Sequence, residues 1–130
     1  MTVSAIRVAR PTVDLERVRP FYEHAVGWPV LWTFTDHDGF DGVIFGVSGE
    51  AVQLELVRSP HGDVPAPTNE DALVLYCASE VDRSALLNRL RGAEAAELDP
   101  HDPTLNPYWP RAGASTFVDP DGYRLIVVPG

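Results

Sequence analysis

Phe117-Val118-Asp119-Pro120-Asp121-Gly122-Tyr123 closes the last hairpin of the chain. Proline presets one backbone angle, aspartate bonds its own backbone, and glycine accepts a positive φ, so Asp-Pro-Asp-Gly is a tight turn. Apolar residues on both sides make 114–118 and 123–128 its two strands. Working back from this hairpin, residues 72–77 form an apolar strand. Ser79 and Asp82 resemble a capping pair, and Leu86, Leu87 and Leu90 follow at helical spacing up to Gly92. A short strand over 94–98 and a proline-rich loop through Arg111 complete the segment. The order is strand, helix, three strands.

The same order occurs once before. Residues 5–9 alternate, with Ile6 and Val8 on one face and Arg7 on the other. Asp14 stands where an N-cap belongs. Leu15, Val18, Phe21, Tyr22, Ala25 and Val26 follow at helical spacing, and Gly27 is the stop. Pro20 lacks an N–H, so the first turn is expected to be loose and the regular helix to begin nearer Arg19. Three runs over 30–34, 42–46 and 51–57 are separated by the turn signals Asp38-Gly39 and Ser48-Gly49. Val13-Asp14 and Val81-Asp82 lie 68 residues apart, and Gly27 and Gly92 lie 65 apart. A repeat of half the chain is a duplicated module, since a solenoid needs shorter and more numerous units. The expected fold is therefore α+β, with tandem βαβββ modules over 1–58 and 72–130 joined by a polar connector over 59–71.

Composition narrows the function. The 130 residues carry 19 acidic and 10 basic side chains, a net charge of -9, and all ten basic residues are arginine. Schiff-base, P-loop and general-base lysine mechanisms are thereby closed. The acidic balance and scattered arginines argue against nucleic acid and anionic membranes as partners, because both require phosphate charge to be neutralised. No apolar run approaches a membrane span. The single cysteine, Cys77, has no internal partner, so a cytoplasmic protein is expected.

Taken together, the half-length repeat, the Val13-Asp14-Leu15-Glu16 helix entry with Phe21-Tyr22 and Gly27-Trp28, and the closing Asp-Pro-Asp-Gly turn resemble the vicinal oxygen chelate superfamily. That superfamily contains glyoxalase I, bleomycin-resistance proteins, fosfomycin-resistance enzymes and extradiol dioxygenases. The resemblance covers the whole chain. It implies a curved, cup-like mixed sheet, the glyoxalase/bleomycin-resistance fold, commonly in a homodimer. The His37-Asp38-Gly39-Phe40-Asp41-Gly42 and Asn106-Pro107-Tyr108-Trp109 stretches together resemble one bacterial branch of the superfamily, without an assigned substrate.

In the metal-using members, four strand positions facing into the cup hold His or Glu. The resemblance places them at Arg7, Glu55, Leu73 and Ile126, of which only Glu55 carries a ligating group, since a guanidinium has no lone pair to give. No metal cofactor is expected. Strand parity sets Ile6, Val8, Leu54, Leu56, Val74, Tyr76, Leu125 and Val127 on a core face. It sets Arg7, Gln53 and Glu55 opposite them in the first module, and Leu73, Leu75, Cys77, Ile126 and Val128 in the second. Arg7 and Glu55 are expected to meet where the metal would have been, either as a structural pair or as a ligand contact.

Two further stretches supply candidates. Histidine is the side-chain type suited to proton transfer near neutral pH, so His37 is a candidate acid or base with Glu55, although a histidine in an Asp/Gly hairpin is also an ordinary loop residue. Phe40 and Asp41 are expected at the pocket rim. Tyr108 and Trp109 offer stiff area with polar tips, suited to a lid or to capping a core or dimer interface. The leading expectation is a metal-independent protein that binds and sequesters a small organic molecule, with cationic ligands favoured on approach. The alternative is a lyase or isomerase of the same superfamily using acid-base residues or a variant metal site.

Overall fold

The computed structural model describes residues 2–130, which divide into two compact units, the first ending at Pro65 and the second spanning Ala66–Gly130. In the first, β1 (Ile6–Pro11), a helix, β2 (Val30–His37), β3 (Phe40–Ser48) and β4 (Val52–Arg58) follow one another. The strand order is β1-β4-β3-β2, with β1 parallel to β4 and the other pairs antiparallel. The second unit repeats this with β5 (Ala72–Tyr76), a helix over Glu80–Gly92, β6 (Ala96–Glu97), β7 (Ser115–Val118) and β8 (Arg124–Val128), ordered β5-β8-β7-β6.

The first helix, α1 (Leu15–Pro20), starts on chemistry local to the sequence. The Thr12 hydroxyl accepts from the Asp14 N–H (3.2 Å), and the Asp14 carboxylate accepts from the Arg17 N–H (3.1 Å), satisfying donors the helix cannot pair internally. Its opening turn is regular, contrary to the expectation from Pro20. The irregularity falls after the proline, where the missing N–H breaks the ladder and the chain widens into a π-helical segment over Phe21–Val26. Gly27, at φ 88°, ends it, with its N–H and that of Trp28 both donating to Tyr22 O.

Val18, Phe21, Tyr22, Ala25 and Val26 are buried, and the Tyr22 ring lies 6.0 Å from that of Phe45 on β3. The helix therefore covers Val43, Phe45, Leu54 and Leu56 on the two central strands, each such side chain contributing about 1.5–3 kcal/mol when fully buried. The edge strand β1 lies beyond this cover. Ile6 and Val8 share the face of Leu54 as the parity predicts, yet they are 56% and 40% exposed and are not core. Arg10, further along the same face, is buried and donates to the Tyr22 hydroxyl (3.3 Å).

In the second unit Ser79 caps α2 (Glu80–Gly92): its hydroxyl accepts from the Asp82 N–H (3.1 Å) and donates to the Asp82 carboxylate (2.9 Å). Leu86, Leu87 and Leu90 are buried, as are Phe117, Leu125 and Val127 on β7 and β8. The parity expected for β5 is corrected. Leu73 pairs with Leu125 and Leu75 with Val127, which puts Val74 and Tyr76 on the opposite face with Ile126 and Val128. β5 is apolar on both faces, so its composition carries no parity signal. A second departure is α3 (Tyr108–Arg111), a single helical turn inside the segment expected to be loop.

The closing turn shows why its residues are needed. The buried Asp119 carboxylate accepts from the N–H groups of Asp121 and Tyr123, both at 2.9 Å, and Gly122 sits at φ 96°.

Candidate functional site

The parallel pairing of β1 with β4 places Arg7 opposite Gln53 and Ala9 opposite Glu55, on the face away from the helix. Arg7 Nε donates to Gln53 Oε1 (2.9 Å) and Nη1 to Glu55 Oε1 (3.3 Å), so the approach expected from the sequence is present. Gln53 Nε2 donates in turn to the Glu50 carbonyl (2.8 Å). Both ends of that amide are committed, and its role is to hold the guanidinium. Arg7 leans across the sheet until its guanidinium lies 5.9 Å from the centre of the Trp32 ring on β2, a cation–π contact. Trp32 is 49% exposed. The Arg7 side chain keeps 42% exposure against 17% for Glu55, which leaves the arginine as the more accessible partner.

Register decides which other candidates share this face. Trp32 pairs with Ile44, Phe34 with Gly42, and His37 with Phe40, so all of them point the same way as Arg7 and Glu55. The Phe34 ring occupies the space over Gly42, where a Cβ would meet its tip at 2.2 Å. His37 is exposed and stands edge-on to Phe34 at 6.4 Å, while Phe40 contacts the His61 ring at 6.2 Å. Asp41 points to the opposite face, where Arg58 donates to one carboxylate oxygen and the Asp36 N–H to the other (2.7 Å). Those two partners, the Asp36 N–H first, hold the Asp41 carboxyl below its ordinary value. Asp41 and Arg58 line a groove of about 270 Å³ with Leu15, Arg19 and Thr33. Arg58 was missed in the sequence because it ends β4, beyond the alternating run, and its partner Asp41 lies on a different strand.

In the second unit Tyr108 is exposed, and its ring packs edge-on against Trp109 at 4.9 Å. Trp109 lines a smaller cavity of about 100 Å³ with Leu105, Val74, Ile126 and Arg124. Arg124, also unforeseen, is buried; it donates to the Thr104 carbonyl (2.9 Å) and hydroxyl (2.7 Å) and to Asn69 Oδ1 (3.3 Å). Burial pushes the Cys77 thiol above its ordinary value, which suits a packed side chain and not a nucleophile.

The residues present do not fit the divalent metal of the superfamily. Arg7 is a donor already engaged by Gln53 and Glu55, and Leu73 faces away from Ile126. Val74, which shares the Ile126 face, has no lone pair to offer. Among the described residues no group of three or more His, Cys, Asp or Glu is placed to hold a metal ion. No described helix is long and apolar enough to cross a membrane.

Comparison with known proteins adds family evidence. A model described as the YycE-like N-terminal domain matches residues 6–57, and one described as the YycE-like C-terminal domain matches residues 70–128. The protein YycE of Bacillus subtilis (strain 168) is 34% identical over 122 residues, covering 93% of this chain and 84% of that one. A 2.0 Å crystal structure of a YycE protein of unknown function from Bacillus subtilis matches with a TM-score of 0.84 at 31% identity, covering 98% of this chain and 90% of the other. TnmS3, an antibiotic binding protein from Streptomyces sp. CB03234, shares the fold with a TM-score of 0.65 at 22% identity, covering 96% and 93%.

Proposed function

The chain belongs to the YycE-like family, a branch of the vicinal oxygen chelate superfamily, and from that premise we propose that it binds a small organic molecule without a metal and thereby sequesters it. The observation that carries this reading is the Arg7 guanidinium, pinned by Gln53 and Glu55 beside the half-exposed Trp32 ring. A structural ion pair needs neither the Gln53 relay nor a bare aromatic surface next to it. A small-molecule site uses both, one fixed polar group for orientation and flat apolar area for affinity. The antibiotic-binding role named for TnmS3 supports sequestration on this scaffold.

The same reading takes the protein as a cytoplasmic homodimer. The single cysteine supports the compartment, and the exposed Ile6 and Val8 of β1 support a second copy. Native mass spectrometry of gently purified protein tests these points together. The expected result is a dimer mass with a co-purifying organic adduct that disappears in Arg7→Met. Stoichiometric zinc, nickel, manganese or iron overturns the metal-independent reading.

A further inference from the structure

We infer that the part of the ligand recognised on the first unit is an uncharged aromatic group bearing a carbonyl-type acceptor beside a hydrogen-bond donor, such as an aromatic amide. This rests on the binding reading above and adds the chemical class.

Charge comes first. By register the helix-free face of this unit carries Arg7, Gln53, Glu55, Ile44, Trp32, Phe34, Phe40 and His37. Arg7 and Glu55 cancel, so the pair leaves no net charge at the centre of the face. A carboxylate drawn to Arg7 lies within a few ångströms of Glu55, and an ammonium drawn to Glu55 lies equally near Arg7. Either ion gives up its hydration to meet a pair that is already compensated, which is unfavourable. The net charge of -9 works further against an anion.

The hydrogen-bond inventory points the same way. A guanidinium has five N–H groups, and the contacts to Gln53 and Glu55 use one on Nε and one on Nη1. Among the described residues Nη2 has no partner, and neither has the second carboxylate oxygen of Glu55. Free donors thus stand beside a free acceptor. Their complement is an acceptor and a donor on adjacent ligand atoms, as an amide, lactam or hydroxy-carbonyl group provides. Trp32 supplies the flat surface, and Phe34 and Phe40 continue it along the same face, which selects a planar ring attached to that group.

Isothermal titration calorimetry and ligand-observed NMR with three probes on one ring system test this: 2-naphthamide, 2-naphthoate and 2-naphthylmethylammonium. The wild-type chain is expected to bind 2-naphthamide at least tenfold more tightly than either ion. Glu55→Gln uncovers a positive charge and should move the preference to 2-naphthoate by tenfold or more, while Arg7→Gln should move it to the ammonium probe. These opposite shifts are not produced by lost stability, which weakens all three probes alike. Equal binding of the three probes, or an ion bound more tightly than the amide by wild type, overturns the class while leaving the binding reading intact. Absence of saturable binding by all three at millimolar concentration overturns the binding reading itself.

Discussion

The two units have the same strand order and pairing but treat their helix-free faces in opposite ways. In the first, the turns Asp38-Gly39 and Ser48–Ala51 are short, and the face holds Arg7, Gln53, Glu55 and a half-exposed Trp32. In the second, the connection between β6 and β7 runs over residues 98–114 and lies against the equivalent face. There Leu105, Asn106 and Trp109 share a small cavity with Ala72, Val74 and Ile126. Duplication has preserved a sheet, and connection length has decided whether its face is open or filled by the unit's own chain. The ligand functions inferred above fall on the unit with short connections for that reason.

Arg124 is the sharpest place to break this contrast, because its buried guanidinium ties the long segment down through Thr104 while also bonding Asn69, which precedes β5. Arg124→Met should lower unfolding free energy by about 2–4 kcal/mol, since charge-assisted hydrogen bonds are lost and the Thr104 carbonyl is left unpaired. Urea denaturation measures the loss. Limited proteolysis should also cut residues 98–114 faster in the variant; unchanged cleavage would mean that packing of Trp109 and Leu105 holds the segment without the arginine.

On the first unit the corresponding weak point is Gly42. A Cβ there meets the Phe34 ring at 2.2 Å and the Leu56 carbonyl oxygen at 3.0 Å, so the ring lies where it does because the strand lacks a side chain beneath it. Gly42→Ala should cost about 1–3 kcal/mol by overpacking. Phe34→Leu in the same chain should return part of that loss, and a double-mutant cycle reads the coupling directly. Additive costs would show that the Leu56 carbonyl, and not the ring, opposes the methyl group.

Much of this was legible in the sequence, and the division follows range. Asp14, Gly27, Ser79 and Gly122 act on backbone groups within a few residues, so the helix starts and stops and the last turn could be read without knowing the fold. The meeting of Arg7 and Glu55 followed from the superfamily resemblance, which set both at positions around one site, while strand parity put them on one face. Ile6 and Val8 failed as core residues because exposure depends on which strand forms the edge, a property of the whole sheet. Leu73, Val74 and Leu75 are apolar without alternation, and only pairing with β8 fixes which of them faces the helix. Arg58 and Arg124 take partners far along the chain, Asp41 and Asn69 among them, and no local pattern announces such pairs.

A smaller effect, of opposite sign, is expected at Thr116. This residue pairs with Ile126 on the filled face, and its buried hydroxyl has no hydrogen-bond partner among the described residues. Thr116→Val keeps the shape and removes the unpaired polar atom, so the variant should be more stable by about 1 kcal/mol in urea titration. A loss of stability instead would show that the hydroxyl is satisfied in solution, and that the second face is less dry than its lining suggests.

The slightest effect concerns Asp41, on the helix side of the open unit. Its carboxyl is held below its ordinary value of 3.8 by the Asp36 N–H and by Arg58. A group with a depressed folded-state pKa stabilises the fold fully above its unfolded value and loses that contribution as pH falls through the folded one. Exposure and salt screening keep this contribution small. Melting temperatures from roughly pH 5 to pH 2 should therefore fall less steeply in Asp41→Asn than in wild type, while the two curves run parallel above about pH 5. Raising salt should narrow the gap if Arg58 dominates and leave it unchanged if the Asp36 N–H does, because a backbone hydrogen bond is screened far less than an ion pair.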